Sequence, residues 1–236
     1  MKLGDVTREA GVTFLMFLCM ILQPRMSAAQ GLYFHLSNPY AEDGPVSPNG
    51  NTIVAVPGWT TTGSLTVVAY GTPGPFPIEP DDGAVGDSKF FCGGPGDTLS
   101  TATQLVTLTE AEWTELSLVH DWVLVITADM GGWASDDAIP SIEVTMLDLN
   151  MSVLDMHTLT PTSGTISHYA NTSVIGAWGT YPPSFGVRFV RVTIRLRGLP
   201  GEYNSSMVDD VQVAALYPDP IESTTWSRLK RGLLDP

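Results

Sequence analysis

The side chains in this chain best suited to chemistry are acids, and they come in short clusters. Glu42-Asp43, Glu79 with Asp81-Asp82, Asp136-Asp137 and Asp209-Asp210 each set carboxylates side by side. Calcium takes six to eight oxygen ligands from carboxylates and carbonyls, so these clusters are where such an ion would be sought. None has EF-hand spacing, and any one alone reads as a solvated acidic turn. The four histidines, His35, His120, His157 and His168, are scattered and lack zinc-ligand spacing. No G-x-S-x-G elbow, phosphate loop or G-x-G-x-x-G fingerprint occurs. A Ser-His-Asp triad or a pair of carboxylates for glycoside hydrolysis assembles only in space. The expectation is therefore that the chain is not an enzyme. The alternative is a hydrolase built on an unrecognised carboxylate pair.

Aromatic residues expected at loop positions, near Gly, Pro or Asn and outside the clear strands, form a second usable set: Trp133, Trp178, Tyr181 and Tyr203. Aromatic faces hold the C–H side of sugars while amides and carboxylates bond the hydroxyls, although each ring could equally plug an end of the core. Arg191, Arg195 and Arg197 make a basic face in an acidic chain. They are expected to pair with acids on a neighbouring strand, with anionic sugars as the functional alternative. Asn150, Asn171 and Asn204 each begin an N-x-S/T sequon and are expected to lie near loops or turns. Cys92, between Phe91 and Gly93, is either a buried inert thiol or the half of an intermolecular disulfide; its aromatic neighbours favour burial.

These groups must be carried by an exported scaffold. Lys2 and Arg8 precede an apolar run from Val12 to Leu22, followed by the small residues Ser27-Ala28-Ala29. That pattern reads as a signal peptide over 1–29, and the run is too short for a membrane span of roughly 20 residues. The protein is expected to be secreted and extracellular. The chain has 11 basic and 25 acidic residues, a net charge of -14. Three of those bases and two of those acids leave with the signal, so the balance drops to -15. A surface so acidic repels nucleic acid and anionic lipid. With 43% hydrophobic and 15% charged residues, a sizeable core is available.

Beyond residue 30, short β-rich runs alternate with Gly, Pro, Asn and Asp. Strands are expected over 64–70, 88–92, 101–108, 121–129, 141–148, 152–158, 187–197 and 208–216, with 141–148 and 152–158 paired as a hairpin through Leu149-Asn150-Met151. The run 121–129 is apolar on both faces, as a strand covered on each side would be. Val190, Val192, Ile194 and Leu196 share a face opposite the arginines, and Ile142, Val144 and Met146 oppose Glu143 and Thr145. Thr109 and Glu112 have capping-box spacing, which predicts a short helical turn over 109–116. The pattern is all-β: an antiparallel sandwich over 30–217, then a flexible tail over 218–236. In that tail Arg228-Leu229-Lys230-Arg231 resembles a convertase processing site ending at Arg231.

Several segments together resemble the galactose-binding-like jelly rolls, the architecture of many non-catalytic carbohydrate-binding modules. The resemblance runs from Asn38-Pro39, Glu42-Asp43-Gly44 and Gly58-Trp59 through Phe90-Phe91 and Gly93-Gly94. It continues with Ala102-Thr103-Gln104, then Gly131-Gly132-Trp133 with Asp136-Asp137-Ala138. It closes on Gly201-Glu202-Tyr203-Asn204 and Val208-Asp209-Asp210-Val211. Ala41 departs from the pattern, where an aromatic precedes the acid. The resemblance implies a jelly roll and a structural calcium ion held by Glu42 and Asp209. It also implies carbohydrate or glycoconjugate as ligand. Trp133, Asp136, Asp137, Trp178, Tyr203 and Asn204 are the residues expected to face that ligand. An acidic extracellular matrix component is the further alternative.

Overall fold

The computed structural model describes residues 30–74, 76–79, 88–119, 122–132, 139–161, 172–182 and 185–217, with backbone only at 30 and 172–180. All of them belong to one unit, Gln30–Tyr217. Eleven strands follow in order: β1 Gln30–Tyr33, β2 Thr60–Thr62, β3 Thr66–Ala69, β4 Lys89–Pro95 and β5 Leu99–Thr107. After helix α1, Glu110–Leu118, come β6 Trp122–Gly131, β7 Ile139–Leu147, β8 Val153–Leu159, β9 Thr172–Tyr181, β10 Phe189–Arg197 and β11 Tyr203–Tyr217. They form two antiparallel sheets. One has the order β3-β4-β11-β6-β9 with β1 also paired to β11; the other is β2-β5-β10-β7-β8. The chain is therefore an all-β sandwich, as its strand spacing predicts.

Side-chain alternation decides which face is core. On β10, Val190, Val192, Ile194 and Leu196 are wholly buried. Their partners across the ladder are Met146, Val144, Ile142 and Pro140 on β7, and Val106, Gln104, Ala102 and Ser100 on β5. Because side chains repeat every two residues, this register commits Arg191, Thr193, Arg195 and Arg197 to the outer face. The opposing sheet supplies Leu124, Ile126, Ala128 and Met130 from β6, with Val208, Val211 and Val213 from β11. Burying a side chain of this size stabilises by about 1.5–3 kcal/mol, so the two inner faces hold the sheets together.

Two local signals act as expected. Thr109 caps α1: its Oγ accepts the Glu112 amide while the Glu112 carboxylate accepts the Thr109 amide. Arg188 then reaches across, 3.0 Å from Glu110 and 3.7 Å above the Trp113 ring. Strands β7 and β8 form the expected hairpin, where the Asp148 carboxylate accepts the amides of Asn150 and Ser152 at 2.8 Å each.

Two expectations are corrected. Strand β6 is central in its sheet, but its burial alternates, so Val123, Val125 and Thr127 are only half-buried. The apolar outer positions reflect β propensity on a partly covered face, not a second opposing layer. Trp178 and Tyr181, expected in loops, lie on β9, whose Gly-rich sequence hides a strand pairing with β6 along its length.

A second, smaller core sits behind the six-stranded sheet. Val68, Phe76, Phe90, Cys92 and Met207 cluster there with Tyr70 and Tyr203. Cys92 is free and fully buried, 3.4 Å from the Tyr203 hydroxyl. Burial pushes its thiol up, against the lowering effect of hydrogen bonds from Tyr203 and nearby backbone. Cys92 is thus the buried thiol that its aromatic neighbours favour, its sulfur enclosed where a partner chain would have to reach it for an intermolecular bridge.

Candidate functional site

The segment after β1 and a kink in β11 shape one hollow between them. Phe34 points into the core, so alternation turns Tyr33 and His35 outward. The chain stays tied to β11 by the Phe34 amide, which donates to the Val213 carbonyl at 2.9 Å. It then enters a tight loop where Asn38 (φ 49°) and Ala41 (φ 57°) hold left-handed backbone. Asn38 stabilises that loop. Its Oδ1 accepts the Asp43 amide at 2.8 Å, its Nδ2 donates to the Asp43 and Pro57 carbonyls, and its own carbonyl accepts the Trp59 indole N–H at 3.1 Å. Ala41 is wholly buried in this turn, which explains why a small residue stands where the resembled pattern has an aromatic.

Across the hollow, β11 shifts register against β6 between Asp209 and Gln212. Asp210 sits in that irregularity at φ 48°. A bulge re-aims side chains, and left-handed backbone at a non-glycine costs of order 1–3 kcal/mol. Here it brings Gln212 toward the hollow, with its Nε2 donating to Asp210 Oδ1 at 2.8 Å. The Val211 amide donates to the Pro39 carbonyl and closes the floor. The result is a hollow of about 270 Å³ lined by Tyr33, His35, Pro39, Tyr40, Gln212 and neighbouring backbone. Tyr33 is 56% and Tyr40 38% exposed, although the chain's other described aromatics are mostly packed. Among the described residues, three of the four non-glycine residues with positive φ border this one place.

A second constellation lies where the edge strands β8 and β9 meet. Asp155 and His157 are two apart on β8, on its inner face, opposite Met146 and Val144. Asp155 Oδ2 is 3.0 Å from His157 Nε2 and accepts the Tyr181 hydroxyl at 2.9 Å; His157 Nε2 also contacts that hydroxyl. Since the phenol proton goes to Asp155, the contact with His157 requires an Nε2–H donor. Tyr181 stacks against Trp122 and Phe185. Burial, then the Asp155 carboxylate, pushes its phenol well above the ordinary range. Burial alone would raise the Asp155 acid, but the Tyr181 hydroxyl, the Met156 amide and His157 outweigh it and hold the acid below its ordinary value.

The residues expected from sequence fare unevenly. Trp133, Asp136, Asp137 and Asn171 lie outside the described residues. Trp178 is at a register position on β9 opposite Leu124. Tyr203 belongs to the smaller core, where its hydroxyl donates to the Gly50 carbonyl at 2.9 Å, and burial pushes its phenol up. Asn204 is wholly buried, its Nδ2 donating to the Leu196 carbonyl at 2.8 Å and its Oδ1 accepting the Ser206 amide. Both side chains are packed and bonded within the fold, and the Asn204 amide has no room for a glycan: that sequon sits on a buried strand, not a turn. Of the two sequons among the described residues, Asn150 is the exposed one, at the tip of the β7–β8 hairpin.

Glu42 and Asp209 also have work of their own. The Glu42 carboxylate accepts the Ser88 amide and hydroxyl at 2.6 Å each and the Lys89 amide at 2.8 Å, while the Lys89 ammonium bonds the Glu42 carbonyl. Buried Asp209 accepts the Tyr70 hydroxyl at 2.8 Å and the Asp210 amide at 2.9 Å. Hard oxygen donors free to surround a cation are what calcium needs. Two carboxylates already filled by N–H and O–H donors, one beside an ammonium, do not fit that demand. Among the described residues no group of three or more His, Cys, Asp or Glu side chains could hold a metal. The basic face pairs only in part: Arg195 is 3.3 Å from Glu143, the expected cross-strand partner.

No family model matches this chain, and no curated protein matches its sequence. Solved structures do. The chain is similar to an apo cyclase from Fischerella sp., at 16% identity over 80% of this chain and 98% of that one, with a TM-score of 0.55. It is similar as well to a Stig cyclase from Fischerella sp. TAU in complex with an indole compound, at 14% identity, 80% and 100% coverage, and the same TM-score. A xylan-binding domain of the CBM22 type from Paenibacillus barcinonensis aligns more loosely, at 11% identity over 82% and 99% with a TM-score of 0.41. The cyclases correct the expectation that this chain is not an enzyme. That expectation rested on missing motifs and on resemblance to binding modules, whereas whole proteins with this sandwich are enzymes. A fold hosts many functions, so the decision belongs to the site.

Proposed function

We propose that the chain binds carbohydrate in the hollow between the segment after β1 and the kinked part of β11. One observation carries the reading: the exposed rings of Tyr33 and Tyr40 stand beside His35 and the Gln212–Asp210 pair around a hollow of about 270 Å³. Rings with an apolar face and a polar tip suit the C–H face of a sugar, and an amide backed by a carboxylate suits its hydroxyls. The backbone around it is fixed by the Asn38 side chain and the bulge, which favours preorganised binding. The site belongs to a protein that we place outside the cell on the strength of its N-terminal apolar run and Ala29. N-terminal sequencing of the protein from culture medium checks that placement.

A glycan array followed by calorimetry tests the site. Tyr33→Ala and Gln212→Ala are each expected to weaken the best saccharide by about tenfold, since a ring or a bond to a polar group contributes about 1–1.5 kcal/mol. No saccharide bound, or a bound indole that outcompetes every saccharide, would overturn the reading.

Catalysis is favoured by one separate observation, the mutual contacts of Tyr181, His157 and Asp155. A donor phenol, an imidazole and a carboxylate in contact can relay a proton to a bound substrate. A turnover screen against glycosides, esters and indole substrates tests this. Activity lost in both His157→Gln and Tyr181→Phe supports it; activity unchanged in both refutes it.

A further inference from the structure

The outer face of the five-stranded sheet carries a second feature that the hollow does not use. Its side chains stand in rows across the strands. Leu99, Arg197 and Ile139 form one row; Thr62, Thr101, Arg195 and Ser141 form the next. Thr60, Thr103, Thr193, Glu143 and Thr158 follow, then Leu105, Arg191, Thr145 and Met156. Neighbouring strands are about 4.8 Å apart and alternate residues about 7 Å, which sets the spacing of these rows. The first two rows border a groove of about 200 Å³ whose lining is Leu99, Ile139, Ser141, Thr160, Arg195 and Arg197.

The charges there are incompletely spent. Arg195 gives one N–H to Glu143. Arg197 is exposed; its backbone carbonyl accepts the Ser206 hydroxyl at 2.6 Å, but its guanidinium has no hydrogen-bond or ion-pair partner among the described residues. A guanidinium presents five N–H donors in a planar fork that matches a carboxylate. These two stand on the same face of β10, two residues apart, in a chain of only 11 basic residues against 25 acids. The acidic remainder repels densely charged polymers over a Debye length. The groove therefore suits a ligand with an isolated charge on an otherwise neutral, hydroxyl-rich body.

The geometry points to a second binding site here for a sparsely acidic oligosaccharide. Its single uronic carboxylate lies in the fork of Arg197, with Arg195 beside it. Its hydroxyls meet Ser141 and Thr160, and its C–H edges meet Leu99 and Ile139. This site does not depend on the hollow, and the two fail separately.

The test is calorimetry with a short oligosaccharide bearing one terminal glucuronate and with its neutral glucose-terminated counterpart. It is run on the full chain and on the Tyr33→Ala, Gln212→Ala double variant, which suppresses the hollow's contribution. The uronate form is expected to bind about tenfold or more tightly, because a hydrogen bond to a charged group is worth about 1.5–3 kcal/mol. Raising salt from about 50 to about 500 mM should erode that preference. Arg197→Gln and Arg197→Lys should each lower it toward one, the lysine because it keeps the charge but loses the fork, with melting temperatures unchanged. Equal affinity for the two sugars, no uronate binding, or a preference that survives Arg197→Gln together with Arg195→Gln would each overturn the assignment. A sulfated polymer that outbinds the uronate sugar would do so too, since it would show a charge-density site in place of a single fork.

Discussion

Replacing Asn204 by alanine is the sharpest test of the claim that this residue holds the sandwich together. Asn204 has no exposed surface. Its Nδ2 donates to the Leu196 carbonyl on the opposite sheet at 2.8 Å, and its Oδ1 accepts the Ser206 amide at 3.3 Å. It is wedged between two glycines: a Cβ at Gly93 would stand 2.2 Å from its Cγ, and one at Gly198 would stand 2.9 Å from it. Truncation leaves the buried Leu196 carbonyl without its amide donor, costing about 1–3 kcal/mol, and removes the acceptor of a second, longer bond from the Ser206 amide. The space left between the glycines adds a cavity cost, since neither side has a side chain to collapse into it. The sum is about 2–4 kcal/mol. For a domain of this size, 1 kcal/mol shifts Tm by about 2–4 °C, so the melting temperature should fall by roughly 5–15 °C. Urea titration should show a lower midpoint with an unchanged slope. The exposed sequon supplies the control, because Asn150→Ala should stay within about 0.5 kcal/mol. If Asn204→Ala melts within about 2 °C of the parent, the structural role assigned to this amide is wrong.

Four further outcomes are expected. Glu42→Gln should lower Tm by several degrees, because an amide nitrogen would face Ser88 or Lys89 donors; a calcium-induced rise in Tm that both Glu42→Gln and Asp209→Asn abolish would restore a metal role to the pair. The Asp155 acid is held below its ordinary value, so its contribution to stability is complete above about pH 4 and is lost as pH falls below that. Acid denaturation of Asp155→Asn should accordingly show a shallower limb, with its midpoint followed by circular dichroism. Burial and the Glu115 carboxylate push the Tyr217 phenol up to about 12, so its contribution is complete below about pH 10 and is lost as pH rises through about 12; Tyr217→Phe should flatten that alkaline loss in a fluorescence-monitored titration. In a chain carrying Cys19→Ser, a thiol reagent should find Cys92 only after denaturant is added, and immediate labelling in buffer would contradict its burial.

Much of the scaffold is written in local pattern. Period-two alternation on β10 and β7 decides which side chains enter the core, because a one-residue slip would expose Val190, Val192, Ile194 and Leu196 together. The α1 cap is legible for the same reason: Thr109 and Glu112 satisfy each other's amides within one turn. Strand β9 is not legible locally, because its glycines and Trp178 read as a loop and only pairing with β6 makes it a strand.

The sites divide differently. Motif order brought Asp209-Asp210 and Glu42 to attention but misassigned their work. The carboxylates are occupied by Tyr70, Ser88 and Lys89, residues far away in sequence. Asp155 and His157 did carry a signal, since an i, i+2 pair on a strand shares a face, but Tyr181 joins them only across the sheets. Tyr33, His35 and Gln212 carried none, because a register shift in β11 and a loop locked by Asn38 decide that they meet. The sequence by itself determined the class of fold, its acidity and the outward arginines of β10, all set by composition and by contacts between near neighbours. The hollow, the burial of Asn204 and the groove beside Arg197 depend on which distant strands lie side by side, and only the tertiary structure decides that.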